Sequence, residues 1–547
     1  MQALFEESEE AEGVKGLGVV PGKIAKFSSN QGKDGSGRKS VPQMGWNDAV
    51  PLERENVGFG EAERLSMSSA SSSSSAANPH FYFVHSFRAS YDPSKHADWA
   101  LTLTKYEDEV FMSSVNKDNV FATQFHPEKS GRAGLEVLRA WLNRSVKQNG
   151  SAEAVNTNKI KDPAGQASKM KFGGLTKRVV ACLDVRSNDD GDLVVTKGES
   201  YDVREKTTSS SQKQETAEQG AVRNLGKPVD LAHRYYLEGA DEIVFLNITS
   251  FRSSPLKDQP MLSVLQLAAA ECFVPLTIGG GIKDFTEPDT GKVRSAKEVA
   301  DEYFRAGADK VSIGSEAVIA VEEMLQRQGG GVNDPAKVDE KALSGKTGIE
   351  MINEAYGAQA VVVSIDPRRV YLTNGEEAPA AHLPCVVEGQ AGSEDEGKRW
   401  WYRCTIKGGR EDRDVDVVQL ARGVEKLGAG EILLNSIDRD GSNKGFDRQL
   451  VDLVRSSVGI PVVASSGAGI PQHFSDILQG KPLRDGEAPS SVEAALAAGI
   501  FHRQECTIVE VKKHLLDNGF KIRDEDVKEG AGALVEQRTQ ELGAQVA

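Results

Sequence analysis

At 547 residues the chain is too long for one ordinary hydrophobic core, so two or more domains are expected. Apolar residues make up 39% and charged residues 27%, which is typical of a globular protein, and no apolar run reaches the roughly 20 residues of a membrane span. The net charge of −15 disfavours binding to a phosphate backbone, so neither nucleic acid nor a membrane is an expected partner.

Composition divides the chain into four segments. Residues 1–147 mix short β-like runs with a serine-rich stretch, Ser66–Ala77, which cannot bury a core and is predicted to be a surface insertion. Residues 148–174 are polar and are predicted to form a linker. Between residues 175 and 525 short apolar strands alternate with helical patterns, as in consecutive βα units, and residues 526–547 form a polar tail.

The first segment carries a histidine and a carboxylate at a predicted turn. In FATQFHPEKS, residues 121–130, a β-forming run delivers His126 and Glu128 just before a helical pattern. An imidazole with a carboxylate two residues away can act as the base and its orienting group in a nucleophilic triad. The sequence of this segment contains no cysteine that could serve as the nucleophile.

Residues 175–525 contain an internal repeat. VVACLD at 179, GADEIVFLNI at 239 and VPLTIGGGI at 274 recur as VVVSID at 361, GAGEILLNSI at 428 and IPVVASSGAGI at 460, with spacings of 182, 189 and 186 residues. Four βα units used twice predict a (β/α)8 barrel with its site at the carboxyl ends of the strands. A doubly wound open sheet is the alternative, but it does not explain a two-fold repeat.

Two aspartates occupy equivalent positions in the repeat. Asp184 and Asp366 end the first strand of each half, so the repeat places them across one barrel mouth. Two facing carboxylates can divide acid and base roles, because their surroundings can separate their pKa values. The structural alternative is that each aspartate caps the helix after its strand.

Glycine-rich turns follow the third strand of each half, GGGIKD at 279–284 and SSGAGI at 465–470. Backbone N–H groups of such turns can approach an anion. With the segments after the fourth strands they predict two phosphate sites, formed by Gly280, Gly281, Gly314 and Ser315 in the first half and by Ser466, Gly467, Gly469 and Gly499 in the second. The substrate is therefore expected to carry a phosphate at each end.

Charged residues stand at the opposite ends of the strands, where apolar residues are expected: Arg178, Glu242, Lys310 and Glu431. Because isolated buried charges are costly, these four are predicted to form a paired ring that closes the barrel floor, with solvated strand entrances as the alternative. Polar insertions at 205–220, 326–347 and 371–398 interrupt the barrel pattern. The first follows strand 1 and is either a mobile lid over the substrate or a tolerated surface loop.

Several motifs together resemble a known enzyme family. KRVVACLDVR, GDLVVTKG, TIGGGIKD, VVVSIDPRRV, GAGEILLNSIDRDGSNKGFD and ASSGAG closely resemble imidazole glycerol phosphate synthase of histidine biosynthesis, in its fused eukaryotic form. In the first segment VPQMGWN, YFVHSF and ATQFHPEKSG resemble the family's class I glutamine amidotransferase half. The resemblance implies a partial amidotransferase domain followed by the barrel, in one chain without a separate glutaminase subunit.

The resemblance also implies a reaction and a role for each residue. His126 and Glu128 would belong to a Cys-His-Glu triad that hydrolyses glutamine, and the ammonia would enter through the charged floor. At the mouth it would attack the ketone of the bis-phosphorylated substrate PRFAR. Asp366 and Asp184 would act as acid and base while the adduct yields imidazole glycerol phosphate and the carboxamide ribotide AICAR, and Lys197 would help to bind the substrate.

The family's nucleophile lies in a Gly-x-Cys-x-Gly-x-Gln elbow. The first residues, MQALFEES, resemble that family from the glutamine onward, so Gln2 would be the glutamine of the elbow and the cysteine would precede Met1. We therefore expect this polypeptide to use ammonia and not glutamine.

Three functions remain open at this point. The synthase leads. A phosphoribosyl isomerase with the same duplicated barrel also uses two such aspartates, but it has no need of an amidotransferase half or of floor charges. A non-catalytic relic that binds phosphorylated ligands would not need Asp184, Asp366 and both glycine turns.

The five cysteines (Cys182, Cys272, Cys385, Cys404 and Cys506) form no CxxC pair, and the first residues show no basic-then-apolar signal, so a cytoplasmic protein without a metal or cofactor is expected.

Overall fold

The computed structural model describes residues 1–11, 13–28, 39–52, 79–147, 162–187, 193–195, 227–248, 259–287, 290–329, 334–373, 375–390, 392–480 and 491–524. The chain divides into two compact units. The first is Met1–Arg178 together with the described residues from Gly519 onward, and the second is Val179–Asn518. Lys197, the insertion at 205–220 and the tail at 526–547 lie outside the described residues.

The first unit is built mainly from short antiparallel pairings. Its strands are β1 (Glu7–Ser8), β2 (Lys23–Lys26), β3 (Gln43–Asp48), β4 (Val50–Pro51), β5 (His80–His85), β6 (Phe87–Ala89), β7 (Ala100–Tyr106), β8 (Glu109–Lys117) and β9 (Val120–Thr123). They form three sheets, in the orders β1-β2-β6, β3-β5 and β4-β7-β8-β9. Its helices are α1 (Pro93–His96), α2 (Gly131–Lys147) and α3 (Pro163–Lys169), so part of the predicted linker is helical.

Aromatic residues fill a hydrophobic cluster in the first unit. Phe81, Phe83 and Phe125 are buried together with Phe111. Phe81 and Phe125 stack with ring centroids 4.2 Å apart. Because β5 alternates its side chains, Phe81 and Phe83 point to the same side. This packing holds the residues that follow β9 against β5, where His126 N–H donates to Tyr82 O at 3.0 Å.

The second unit contains a closed barrel of eight parallel strands, as the repeat predicts. In chain order its strands are β10 (Arg178–Ser187), β11 (Leu193–Val195), β12 (Glu242–Asn247), β13 (Leu276–Gly279), β14 (Phe285–Thr286), β15 (Val293–Arg294), β16 (Lys310–Ile313), β17 (Val361–Ile365), β18 (Pro367–Leu372), β19 (Val387–Glu388), β20 (Arg399–Ile406), β21 (Glu411–Asp416), β22 (Glu431–Leu434), β23 (Val462–Ala464) and β24 (Ala494–Ala497). The barrel order is β10-β12-β13-β16-β17-β22-β23-β24, and β24 pairs with β10. That closing pair excludes the open sheet.

Helices follow the barrel strands in the expected alternation. They are α4 (Pro228–Leu237), α5 (Gln259–Glu271), α6 (Ala296–Arg305), α7 (Ser315–Gln328), α8 (Gly348–Tyr356), α9 (Val417–Leu427), α10 (Arg448–Ser457), α11 (Pro471–Leu478), α12 (Gly499–His502) and α13 (Ile508–Asp517). Several of these helices begin with a capping box, as at Ser295 and Thr347. In a capping box the side chain of the cap residue accepts the backbone N–H of a residue in the first turn, and the side chain of that residue accepts the backbone N–H of the cap residue. None of the helices among the described residues has the length and apolar character that crossing a membrane requires.

Alternating positions of the strands form the barrel interior. Val180 and Cys182 of β10 pack with Val362 of β17 and Leu433 of β22 inside the barrel. Side chains two residues apart on a strand share a face. Asp184 therefore continues the inward-facing series of Val180 and Cys182 at the carboxyl end of its strand.

Acidic residues just before three strands tie neighbouring strands together. Asp241 Oδ2 accepts from Val179 N–H at 2.9 Å, Asp309 Oδ2 from Leu276 N–H at 2.8 Å, and Glu493 Oε2 from Val462 N–H at 3.0 Å. Each carboxylate satisfies a backbone donor at the start of a strand, which an apolar residue would leave unpaired. The ties at Asp309 and Glu493 occupy equivalent places in the two halves.

An antiparallel sheet follows the fifth barrel strand, β17, in the chain. Strands β18, β19, β20 and β21 form it, and β18 begins directly after Asp366. Its central strand buries Trp400, Trp401 and Tyr402. Of the predicted insertion at 371–398 only the end of β18 and the short strand β19 belong to this sheet, and its buried aromatic residues stand in β20, beyond the insertion.

Replacing Lys512 with methionine is expected to destabilise the second unit. Lys512 and Asp241 are both fully buried, and Lys512 Nζ lies 2.7 Å from Asp241 Oδ1. Removing the ammonium leaves a buried carboxylate without its cation, which typically costs about 3–5 kcal/mol. Denaturant unfolding of the second unit should show this loss, while Lys513→Met, which changes an exposed neighbour, should leave the unfolding midpoint nearly unchanged. Equal midpoints for the two variants would contradict the expectation.

Candidate active site

A cavity of about 450 Å³ opens at the carboxyl ends of the barrel strands. Both predicted aspartates, Asp184 and Asp366, line it. Both side chains are partly exposed, whereas Cys182 and Val362, further down the same strand faces, are buried. The parallel arrangement of the strands thus brings the two residues, far apart in sequence, to one pocket.

Asp184 lies in surroundings that favour its protonated form. Burial, followed by the charge of Asp440, raises the pKa of the Asp184 carboxyl to about 7. Cys182, two residues earlier on β10, has its Sγ 3.8 Å from Asp184 Oδ1. A carboxyl with a pKa near neutrality can both give and take a proton at physiological pH.

Asp366 is held in a different way. Asn435 Nδ2 donates to Asp366 Oδ1 at 2.6 Å and to Ser364 Oγ at 3.0 Å. Burial raises the pKa of the Asp366 carboxyl, and the hydrogen bond from Asn435 opposes that rise. Thr405 of the antiparallel sheet donates its hydroxyl to Asp366 O at 2.7 Å, so both the side chain and the backbone of Asp366 are fixed.

The second-half glycine turn lies at the same cavity. Ser466 and Gly467 line it, together with Gly499. Gly467 has a φ of 97°, and a Cβ there would lie 2.3 Å from Gly445 O, so only glycine fits. Gly469 is not among the lining residues, and its N–H donates to His473 Nδ1 at 3.1 Å. The packing of the turn thus explains part of its glycine content.

The first-half phosphate candidates do not line this cavity. Gly280 and Gly281 follow β13 with φ values of 104° and 73°. Gly314 precedes α7, and Ser315 Oγ accepts from Lys407 N–H at 2.8 Å. Lys407 belongs to the turn between β20 and β21, and the next residues of that turn, Gly408 and Gly409, line the cavity. The antiparallel sheet therefore touches both the cavity and the first-half candidate.

Three of the four predicted floor charges form one buried cluster. Lys310 Nζ lies 2.6 Å from Glu242 Oε1 and 2.6 Å from Glu431 Oε2. Thr277 Oγ1 also donates to Glu242 Oε1, at 2.7 Å. The strands β12, β16 and β22 supply the three charged side chains, so the cluster spans both halves of the barrel. Arg178, the fourth, is buried at the start of β10.

The first unit holds His126 and Glu128 in the predicted relation. His126 Nδ1 and Glu128 Oε1 are 3.0 Å apart. Although burial alone would raise it, the hydrogen bond with His126 holds the pKa of the Glu128 carboxyl below its usual range. Gln2 Nε2 donates to Phe87 O at 2.9 Å in the same unit. About half of each side chain of the pair is exposed.

Further polar residues that were not predicted from the sequence line the cavity, among them Asn435, Asp440, Arg368 and Arg503. Asn435 and Asp440 follow the carboxyl end of β22, and this position after a barrel strand could have indicated them as site residues. Arg368 lies two residues beyond Asp366 on β18 and so shares its face. A search of the described residues finds no group of three or more His, Cys, Asp or Glu side chains able to hold a metal ion.

Comparison with protein families agrees with the two units. The model of the histidine biosynthesis protein family matches residues 178–330 and again residues 331–507. The class-I glutamine amidotransferase model matches residues 1–144. The two successive matches to one model correspond to the two halves of the barrel.

Curated relatives match most of the chain. Imidazole glycerol phosphate synthase hisHF of Schizosaccharomyces pombe is 48% identical over 533 residues, which cover 96% of this chain and 85% of the relative. The chloroplastic hisHF of Arabidopsis thaliana is 46% identical over 96% of this chain and 76% of its own length. Subunit HisF of Natronomonas pharaonis is 37% identical over 64% of this chain and 99% of its own length. The chain therefore belongs to the fused imidazole glycerol phosphate synthase family, hisHF.

Proposed function

We propose that the chain combines ammonia with PRFAR to give imidazole glycerol phosphate, AICAR and water, a step of histidine biosynthesis. The observation that carries the proposal is the meeting of Asp184 and Asp366, one from each half of the barrel, in a single cavity. The amidotransferase match at residues 1–144 favours the synthase over a phosphoribosyl isomerase, because an isomerase needs no nitrogen donor.

The surroundings of the two aspartates support a division of labour. A pKa near 7 allows Asp184 to accept a proton from the attacking nitrogen as general base and to pass it on. Asp366, held by Asn435 and Thr405, is placed to protonate the leaving group as general acid. Addition of ammonia to the ketone releases one water, and cleavage of the adduct then separates AICAR from the closing imidazole ring.

The two phosphates of PRFAR provide the binding energy for this alignment. We assign one phosphate to Ser466, Gly467, Gly469 and Gly499 and the other to Gly280, Gly281, Gly314 and Ser315. Lys197 would add a positive charge to the bound substrate. Anchoring both ends of a flexible molecule lowers the entropic cost of bringing its central ketone to the aspartates.

The ammonia is proposed to enter the barrel at its floor. Lys310, Glu242 and Glu431 form the gate there, with Arg178 as its fourth member. Because the three charges satisfy one another, the gate can stay closed to water and open by a change of side-chain rotamers without unfolding a strand. His126 and Glu128 would supply ammonia from glutamine when a thiolate nucleophile is present.

The fused family form leaves no need for a separate glutaminase subunit. We also propose a cytoplasmic location, which the five buried free cysteines favour because thiols persist in a reducing compartment. A fluorescent fusion of the intact gene product tests this, since the printed name of the Arabidopsis thaliana relative places that protein in the chloroplast.

Asp184→Asn and Asp366→Asn are each expected to lower ammonia-dependent turnover of PRFAR by about 10²–10⁴-fold, because an amide cannot carry out proton transfer. Consumption of PRFAR at saturating ammonium and high pH measures the loss. Asp230→Asn on α4 is a matched control at an exposed position and should retain full activity. Near-normal turnover in both active-site variants would refute the assignment, provided that circular dichroism shows all three proteins folded.

Asp440→Asn is expected to lower the pKa of Asp184 from its value of about 7, because the charge of Asp440 raises it. The NMR chemical shift of the Asp184 carboxyl carbon, followed against pH, reports this titration directly. The part of the pH–rate profile for PRFAR turnover that changes near neutrality should move to lower pH in parallel. Asp438→Asn changes a nearby carboxylate that does not line the cavity and should leave the titration in place. An unmoved midpoint in Asp440→Asn would contradict the expectation.

A polypeptide of these 547 residues is expected to use ammonium salts at high pH and not glutamine. All five cysteines are buried and lie beyond residue 180, so His126 and Glu128 have no thiol to activate in the amidotransferase segment. Parallel assays of PRFAR consumption with each nitrogen source test this. Turnover with glutamine at a rate comparable to that with ammonia would show that another group replaces the thiolate.

A further inference from the structure

Arg503 lines the active-site cavity beside the second-half phosphate candidates. It follows α12 and is partly buried, with 26% of its side chain exposed. The same cavity is lined by Ser466, Gly467 and Gly499. A guanidinium group therefore stands in the pocket that is proposed to receive one phosphate of the substrate.

Glu505 fixes the orientation of this guanidinium. Arg503 Nε lies 2.6 Å from Glu505 Oε1, and Arg503 Nη2 lies 2.9 Å from Glu505 Oε2. This bidentate contact occupies the Nε–Nη2 edge of the planar group. Within the described part of the chain, Nη1 makes no hydrogen bond, so the Nη1–Nη2 edge keeps donors for a second anion.

Gly499 provides the space that the free edge occupies. A Cβ at position 499 would lie 2.7 Å from Arg503 Nη1 and 3.2 Å from Nη2. Those distances are too short for a carbon and a nitrogen that are not bonded. The guanidinium thus lies directly against the backbone of Gly499, and any side chain there would displace it.

The two halves of the barrel differ at this position. Gly314 and Ala498 each stand immediately before the helix that follows the fourth strand of their half. Five residues later the second half has Arg503, whereas the first half has the apolar Ile319. This difference offers a molecule with a phosphate at each end two chemically unlike sites.

We propose that Arg503 binds the substrate phosphate at the second-half site and so determines which end of PRFAR enters each half. This proposal rests on the proposed function. The phosphate takes the Nη1–Nη2 edge while Glu505 keeps the opposite edge, so the guanidinium bridges two anions. Arg503 is a specificity-determining binding residue, and the proton transfers remain with the two aspartates.

Arg503→Gln should raise the Kd for PRFAR, measured by calorimetry without ammonia, by about tenfold or more, because a charge-assisted bidentate contact is lost. The KM for PRFAR should rise similarly and kcat should change less than about twofold, while Arg503→Lys should recover part of the affinity. Gly499→Ala should act in the same direction by displacing the guanidinium. Arg305→Gln is the control, because Arg305 pairs with Glu302 at 3.0 Å on the exposed face of α6.

The two reaction products test the orientation directly, because imidazole glycerol phosphate and AICAR each carry one phosphate. Arg503→Gln should weaken inhibition by one product about tenfold and leave inhibition by the other unchanged. Equal effects on both products, or an unchanged Kd for PRFAR, would overturn the proposal. If the unaltered chain binds PRFAR but does not consume it with ammonia, the proposed function fails, while the Kd values still decide the role of Arg503.

Discussion

The closure of eight parallel strands is the constraint on which the active site depends. Hydrogen bonds between β24 and β10 complete the ring and bring all eight carboxyl ends to one rim. A strand end in the first half and one in the second then face a single cavity. Without that closure Asp184 and Asp366, 182 residues apart in the chain, would have no reason to share a pocket.

Closure also determines where charges can be buried. At the amino-terminal end of β16, Lys310 is almost completely removed from solvent. A lone ammonium would be strongly disfavoured at that position, but contacts with Glu242 and Glu431 compensate its desolvation. The carboxylates that precede β16 and β24, Asp309 and Glu493, are likewise compensated, because each accepts a backbone N–H of a neighbouring strand. These charged groups are thus buried where strand register fixes a partner for each of them.

The repeat made the barrel and its two aspartates predictable from sequence, because a two-fold spacing of apolar strands has few other physical solutions. The floor charges were predictable for a related reason: charged residues in place of apolar ones indicate pairing. The role of Gly469 was less predictable from the sequence. Its N–H donates to His473, four residues further on, and Gly467 packs against Gly445, 22 residues earlier; a glycine-rich pattern does not distinguish these packing roles from phosphate binding.

The antiparallel sheet shows the same limit of sequence reasoning on a larger scale. The polar composition of residues 371–398 predicted an insertion, but the sheet extends to both sides of that stretch and is held by contacts between residues far apart in the chain. Arg369 pairs with Asp447 at 2.7 Å, and His382 stacks on Trp401 with centroids 4.2 Å apart. Arg413 reaches Glu322 of α7 at 2.6 Å. Cross-sheet partners of this kind depend on tertiary structure and cannot be assigned from spacing along the chain.

The sheet changes how the two halves of the barrel can work. Asp184 lies near the carboxyl end of β10, where burial and the charge of Asp440 raise its pKa to about 7. Asp366 instead leads directly into β18, and the hydroxyl of Thr405 holds its backbone. Because the sheet anchors one aspartate and not the other, duplication supplied two equivalent carboxylates and the insertion made them unequal. The proposed acid and base roles make use of that inequality, because carboxyls in different surroundings exchange their protons at different pH values.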